Sequence, residues 1–134
     1  SMFRKPFPEI PIVKTGYEIA EMVKYFINNF LSVKVSFANE MHQICDALDI
    51  DYDKVTEYAL FDKRIGRSHL AVPGPDGDFG YGGHCFPKDM DAMIFVAENL
   101  GLLTTMLSAT REKNDIVRKN RNWEGMKGRA VSED

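Results

Sequence analysis

Cysteine is nearly missing from this chain: Cys45 and Cys85 stand far apart with no paired spacing. That excludes a disulfide framework and a zinc knuckle. Positive charge is not in excess, since 17 Lys and Arg against 20 Asp and Glu give a formal net charge of −3. No basic face for a nucleic-acid partner is implied. No apolar run approaches a membrane span, and no charged-then-apolar leader opens the chain. Strand-like alternation is also missing. The glycines at 74, 77, 80, 82 and 83 never spell G-x-G-x-x-G after a strand, so there is no dinucleotide-binding fingerprint. These absences lead us to expect a cytoplasmic protein with reduced thiols, no metal, no membrane and no nucleic acid.

What is present is enough apolar surface, 44% of 134 residues, to bury the core of one domain. Ser1-Met2 reads as a tag scar, and residues 3–14, with three prolines, read with it as an extended lead-in. Thr15-Gly16-Tyr17-Glu18 is a T-x-x-E capping box. An apolar stripe follows at helical spacing from Ile19 to Leu48 and predicts one long helix from about Gly16. Such a helix cannot hide its stripe within so small a domain, so it bridges domains or packs on a copy of itself. Asp51 suits the N-cap of a short second helix through about Phe61. A Gly- and Pro-rich loop over 62–86 is long enough to be functional. Pro87 suits the first turn of a third helix stopping at Gly101, and a fourth runs from about Leu103 to Asn120. The expectation is an all-α domain over residues 15–124, one long helix plus three shorter ones, with a frayed tail over 125–134.

Several signals fail on inspection. Asp49, Asp51 and Asp53 alternate like a calcium loop, but Lys54 and Leu60 stand where glycine and the closing glutamate are needed. His42 and Cys45 share a helical face without two further ligands. His84 adjoins Cys85, yet neighbours in a turn seldom aim at each other, which disfavours an unrelated Cys–His thiol enzyme.

The stretch GYGGHCFPKD at 80–89 carries the strongest chemistry. Cys85 precedes an expected helix N-terminus, whose dipole and unpaired N–H groups favour a thiolate, and Lys88 lies one turn on. Gly82 and Gly83 let backbone approach a ligand, Phe86 offers a flat face, and Asp89 is a nearby base or orienter. A small buried cysteine in a tight turn fits the same residues. The local pattern leaves both readings open.

Taken with AEMVKYFINNFLSVKVSFANE at 20–40 and DKRIG at 62–66, the GYGGHCFPKD stretch resembles the UDP-glucose/GDP-mannose dehydrogenase family, whose central helical dimerisation domain the chain matches over about 17–120. The resemblance implies oxidation of a nucleotide sugar at C6 by two hydride transfers to NAD, with UDP-glucose favoured over GDP-mannose. It implies that Cys85 traps the aldehyde as a thiohemiacetal and then a thioester. Lys24 and Asn28 would hold the reacting oxygen and a water, and Asp89 would handle water and protons. Lys88 would lie near thiol and cofactor, and Arg64 would reach the sugar nucleotide of the partner subunit in a homodimer. Substrate would be wrapped by the loop including Tyr81, Gly82, Gly83 and Phe86. NAD would be bound mainly by a domain that these residues do not include, so the isolated chain is expected to be inactive. A non-catalytic dimerisation module sharing the same ancestry is the other reading.

Overall fold

A computed structural model describes residues 18–83 and 85–119. It contains four helices, α1 (Ile19–Ala47), α2 (Tyr52–Ala59), α3 (Cys85–Asn99) and α4 (Thr105–Val117), and no strand among the described residues. Thr15 of the expected capping box, the lead-in, His84 and the tail from 120 lie outside them. At the start of α1, Glu18 takes extended backbone and makes no side-chain cap bond. Asp51 caps α2 as its residue type suggests, Oδ1 accepting from Asp53 N at 3.0 Å.

The helix ends differ from the sequence expectations for local reasons. Past Ala59 the hydrogen bonds tighten, Phe61 N donating to Tyr58 O and Asp62 N to Ala59 O, so α2 stops two residues short of Phe61. Helix α3 begins at Cys85, not at Pro87. Pro87 is its third residue, still in the first turn, where a missing N–H costs no intrahelical bond. Gly101, at φ 74°, closes α3 in the left-handed region, and Leu102 N donates to Ala97 O at 2.9 Å. Helix α4 begins at Thr105, after Thr104, rather than at about Leu103, and Arg118 leaves it in extended backbone, short of the expected Asn120.

Matched contacts fix the helix directions. Ser36 bonds Thr110 O, and further on Lys113 reaches Gln43 and Glu40, so α4 runs along α1 in the same sense. Helices α3 and α4 form an antiparallel hairpin with Arg111 paired to Asp91 at 3.0 Å. Therefore α3 is antiparallel to α1, with Asp89 beside Asn28 and Asn29 while Phe86 faces the same cleft as Val35.

Helix α1 turns a polar, small-residue face inward: Asn29, Ser32, Ser36, Ala38, Asn39 and Cys45 are its buried residues. Its large apolar side chains point out, Phe26 71%, Phe30 57% and Phe37 62% exposed. Val23, Phe30, Phe37 and Ile44 repeat every seven residues, the period of a helix seam. Inside, α3 contributes buried Met90, Ile94 and Val96. A second cluster joins Ala38, Cys45, Tyr52 and Val72, with Met41, Leu70 and Phe79 packed around it.

Candidate functional site

Two of the expected catalytic residues meet across α1 and α3. Asn28 Nδ2 donates to Asp89 Oδ2 at 2.6 Å, joining positions 61 residues apart in sequence. Asp89 is 3% exposed. The neighbouring Asn29 reinforces the junction, its Nδ2 donating to Tyr25 O at 2.8 Å and to the Asp89 carbonyl at 3.4 Å. The Asn28 side-chain amide thus fixes the orientation of this buried carboxyl group.

Cys85 and Lys24 flank this bond rather than touch it. Each lies four residues N-terminal to its bonded partner, so each shares that partner's helix face. Because the helices are antiparallel, the backbone positions of Cys85 and Lys24 lie about 6 Å along the axis from their bonded partners, on opposite sides of the Asn28–Asp89 bond. Cys85 is exposed, which removes the reading of a buried packing thiol. That role belongs to Cys45, buried against Ala38, Tyr52 and Val72. Lys24 Nζ rests 4.6 Å from the centroid of the Tyr25 ring. Lys88 is exposed one turn into α3.

Beside Cys85 the glycine turn walls a cleft of about 440 Å³, lined by Val35, His69, Tyr81, Gly82, Gly83 and Phe86 among others. Phe86 forms an aromatic ledge with His69, ring centroids 5.7 Å apart, and with Tyr81 at 6.1 Å. His69 holds φ at 66°, a conformation uncommon for a residue with a side chain. Tyr81 is buried, and burial pushes its phenol far up, with the Asp115 and Asp91 carboxylates adding to the shift. It therefore stays a neutral wall of the cleft.

Arg64 sits apart from these groups, on the loop after α2. Its guanidinium grips Asp62 in a fork, Nε to Oδ1 at 3.0 Å and Nη2 to Oδ2 at 2.7 Å, and its side chain is 89% exposed. The Arg64 hydrogen bonds hold the Asp62 carboxyl below its ordinary range. An exposed, oriented guanidinium suits a group that reaches outward.

Sequence reasoning missed the residues that hold the glycine turn. Asn114 of α4 bonds both ends of one peptide unit pair: Tyr81 N donates to its Oδ1 at 2.7 Å, and its Nδ2 donates to Tyr81 O at 3.0 Å. Gly80 N donates to Asn39 Oδ1 of α1 at 3.1 Å. Arg118, its side chain 1% exposed, reaches Asp76 at 2.6 Å and the Phe79 carbonyl at 3.3 Å. Polar residues on or just past a helix ordinarily signal a solvated face, so these three gave no warning. The i, i+4 spacing of Asn114 and Arg118, which puts both on one face, was the available clue.

Among the described residues no group of three His, Cys, Asp or Glu could hold a metal, and no helix is long and apolar enough to cross a membrane. With no strand described, there is no strand–turn–helix cradle for a dinucleotide, and Lys88 alone does not make one.

Residues 18–116 match the UDP-glucose/GDP-mannose dehydrogenase family, central domain. The UDP-glucose 6-dehydrogenase TuaD of Bacillus subtilis is 38% identical over 134 residues, covering 96% of this chain and 28% of the relative. The UDP-glucose 6-dehydrogenase AglM of Haloferax volcanii is 41% identical over 105 residues, 78% of this chain and 23% of the relative. A GDP-mannose 6-dehydrogenase of Pseudomonas putida is 33% identical over 108 residues, 80% of this chain and 24% of the relative. The chain thus spans about a quarter of the length of these curated relatives.

Proposed function

This chain belongs to the UDP-glucose/GDP-mannose dehydrogenase family, as its central domain, and we propose that it supplies the nucleophile half of a nucleotide-sugar 6-dehydrogenase site that converts UDP-glucose to UDP-glucuronate. The observation that carries the reading is the Asn28–Asp89 bond with exposed Cys85 one turn away on α3. NAD, held outside the described residues, would accept the hydride in both oxidations. The chain's own residues do the rest. Cys85 sulfur adds to the C6 aldehyde, and the carbonyl oxygen becomes an oxyanion facing Asn28 Nδ2 and Lys24 Nζ. After the second oxidation the carbon is a thioester; water activated by Asp89 adds to it, releasing the carboxylate and returning the thiol.

Lys24 must leave the Tyr25 ring to take part. An exposed cation–π contact is worth ~0.5–1 kcal/mol. A hydrogen bond to a charged oxygen contributes about 1.5–3 kcal/mol. The balance favours the oxyanion, so substrate draws Lys24 inward. Lys88 and Arg64 serve cofactor and partner-bound substrate, and the cleft beside Phe86 takes the sugar nucleotide.

The outward apolar face of α1 is proposed as the seam of a homodimer. Burying about 800 Å² on each copy makes a specific interface. The same face suits a purely structural dimerisation module, but an exposed thiol beside an oriented buried carboxylate has no part in holding two helices together.

The test is a chimera in which residues 18–116 replace the matching segment of the B. subtilis relative. NADH formation with UDP-glucose and little with GDP-mannose is the expected result. A folded, dimeric chimera that oxidises neither sugar would defeat the reading.

A further inference from the structure

We infer that Asn114 of α4 and Arg118, just past its end, are positioning residues for the thiol of Cys85, acting through the glycine turn. The inference rests on the reading of Cys85 as the nucleophile but concerns different side chains. Three glycines within residues 80–83 give the segment before Cys85 more backbone freedom than any other stretch of the chain. Cys85 is the first residue of α3, so where this turn hands the chain to the helix bears on where the thiol stands.

The fixing groups come from α4 and α1, and they are built around the glycines. Asn114 closes a two-bond ring on the Tyr81 backbone, in the manner of a paired strand, while Asn39 takes the Gly80 N–H. A Cβ on Gly80 would strike the Asn114 side-chain oxygen, and a Cβ on Gly82 would strike the Arg118 guanidinium. These two glycines therefore allow the close approach of those side chains, and Gly80 in addition adopts φ 73°. Arg118 is almost wholly buried, and burying an arginine is costly unless it is paired. Asp76 and Asp78 supply that pairing at 2.6 and 3.6 Å, which ties the start of the segment from 76 to 82 to the end of α4, while Asn114 holds Tyr81 near its other end. From Gly82 the chain reaches Cys85 in three residues, and Cys85 already belongs to α3. Helix α4 thus sets where α3 begins, and with it where the thiol stands.

The experiment uses the whole chain with a nitroxide on Cys85, which is exposed while Cys45 is buried. Asn114→Ala and Arg118→Ala are expected to speed the label's nanosecond reorientation about twofold or more relative to the parent. Arg118→Lys, which keeps a donor toward Asp76, should restore much of the slow motion. Tyr52→Phe, a distant core substitution, is the control for general loosening and should leave the spectrum unchanged. Unaltered label motion in both alanine variants overturns the inference, and so does equal loosening in the Tyr52→Phe control. If Asn114→Ala fails to fold, Asn114→Asp keeps the shape and the acceptor for Tyr81 N but loses the donor; it should show the same acceleration, and its absence would be equally decisive. The reading of Cys85 itself fails separately, if Cys85→Ser leaves the chimera's oxidation intact.

Discussion

The two cysteines carry the same atom in opposite surroundings, and substitution separates them. Cys45→Ser places a hydroxyl among Ala38, Tyr52 and Val72, where an unsatisfied polar group costs about 1–3 kcal/mol. Cys85→Ser stays exposed and should alter stability by no more than about 0.5 kcal/mol. Urea denaturation of both variants measures this directly. Tyr52 offers a second residue-scale test. Its hydroxyl donates to Leu70 O at 2.6 Å, and burial raises its pKa to about 12. The phenol is thus protonated in the folded state where the unfolded one, near its ordinary value of 10, has already ionised. Its contribution is complete below pH ~10 and is lost as pH rises through about 12. Tyr52→Phe should cost ~1 kcal/mol at neutral pH and show a shallower alkaline loss than the parent. Equal slopes above pH 10 would contradict this. At this scale Cys85 and Asp89 stood out from their neighbours alone, whereas Lys24 and Asn28 did not; the roles of those two entered through the family resemblance, because a contact across 61 residues leaves no local trace.

Helix existence was legible because period and caps are local. The long stripe, the Asp51 cap and the Gly101 stop each correspond to an observed feature. What periodicity could not tell was which side of α1 faces the domain. The stripe implied only that so small a domain could not hide all of it; the inner face proves to be Asn29, Ser32, Ser36 and Asn39, and the phenylalanines look outward. Small polar residues let α3 and α4 approach closely and bond to the α1 face, while the large apolar side chains are left exposed. Each exposed phenylalanine buried there contributes about 1.5–3 kcal/mol. The double variant Phe30→Glu with Phe37→Glu should therefore give a monomer by light scattering with helix content unchanged. A dimer that survives both charges would place the seam elsewhere. The same scale explains Gly82: Gly82→Ala pushes a methyl into the buried Arg118 guanidinium, so it should destabilise by about 1–3 kcal/mol, and a neutral result would mean that the turn is not packed as described.

For the whole molecule, the chain is about a quarter of its relatives' length, and the described residues carry an exposed thiol, a side-chain-bonded buried carboxylate and a cleft without a dinucleotide cradle. A hydride cannot pass to a cofactor that is not held within reach, so the purified chain should form no NADH with UDP-glucose. Measurable NADH from the chain alone would show that these residues suffice. The central claim, that Cys85 carries the carbon between the two oxidations, is tested most directly by counting NADH per UDP-glucose in the chimera with and without Cys85→Ser. The account predicts two NADH and UDP-glucuronate with the thiol present, and at most one NADH with no glucuronate when it is replaced. Two NADH and full glucuronate formation from the Cys85→Ser chimera would contradict it.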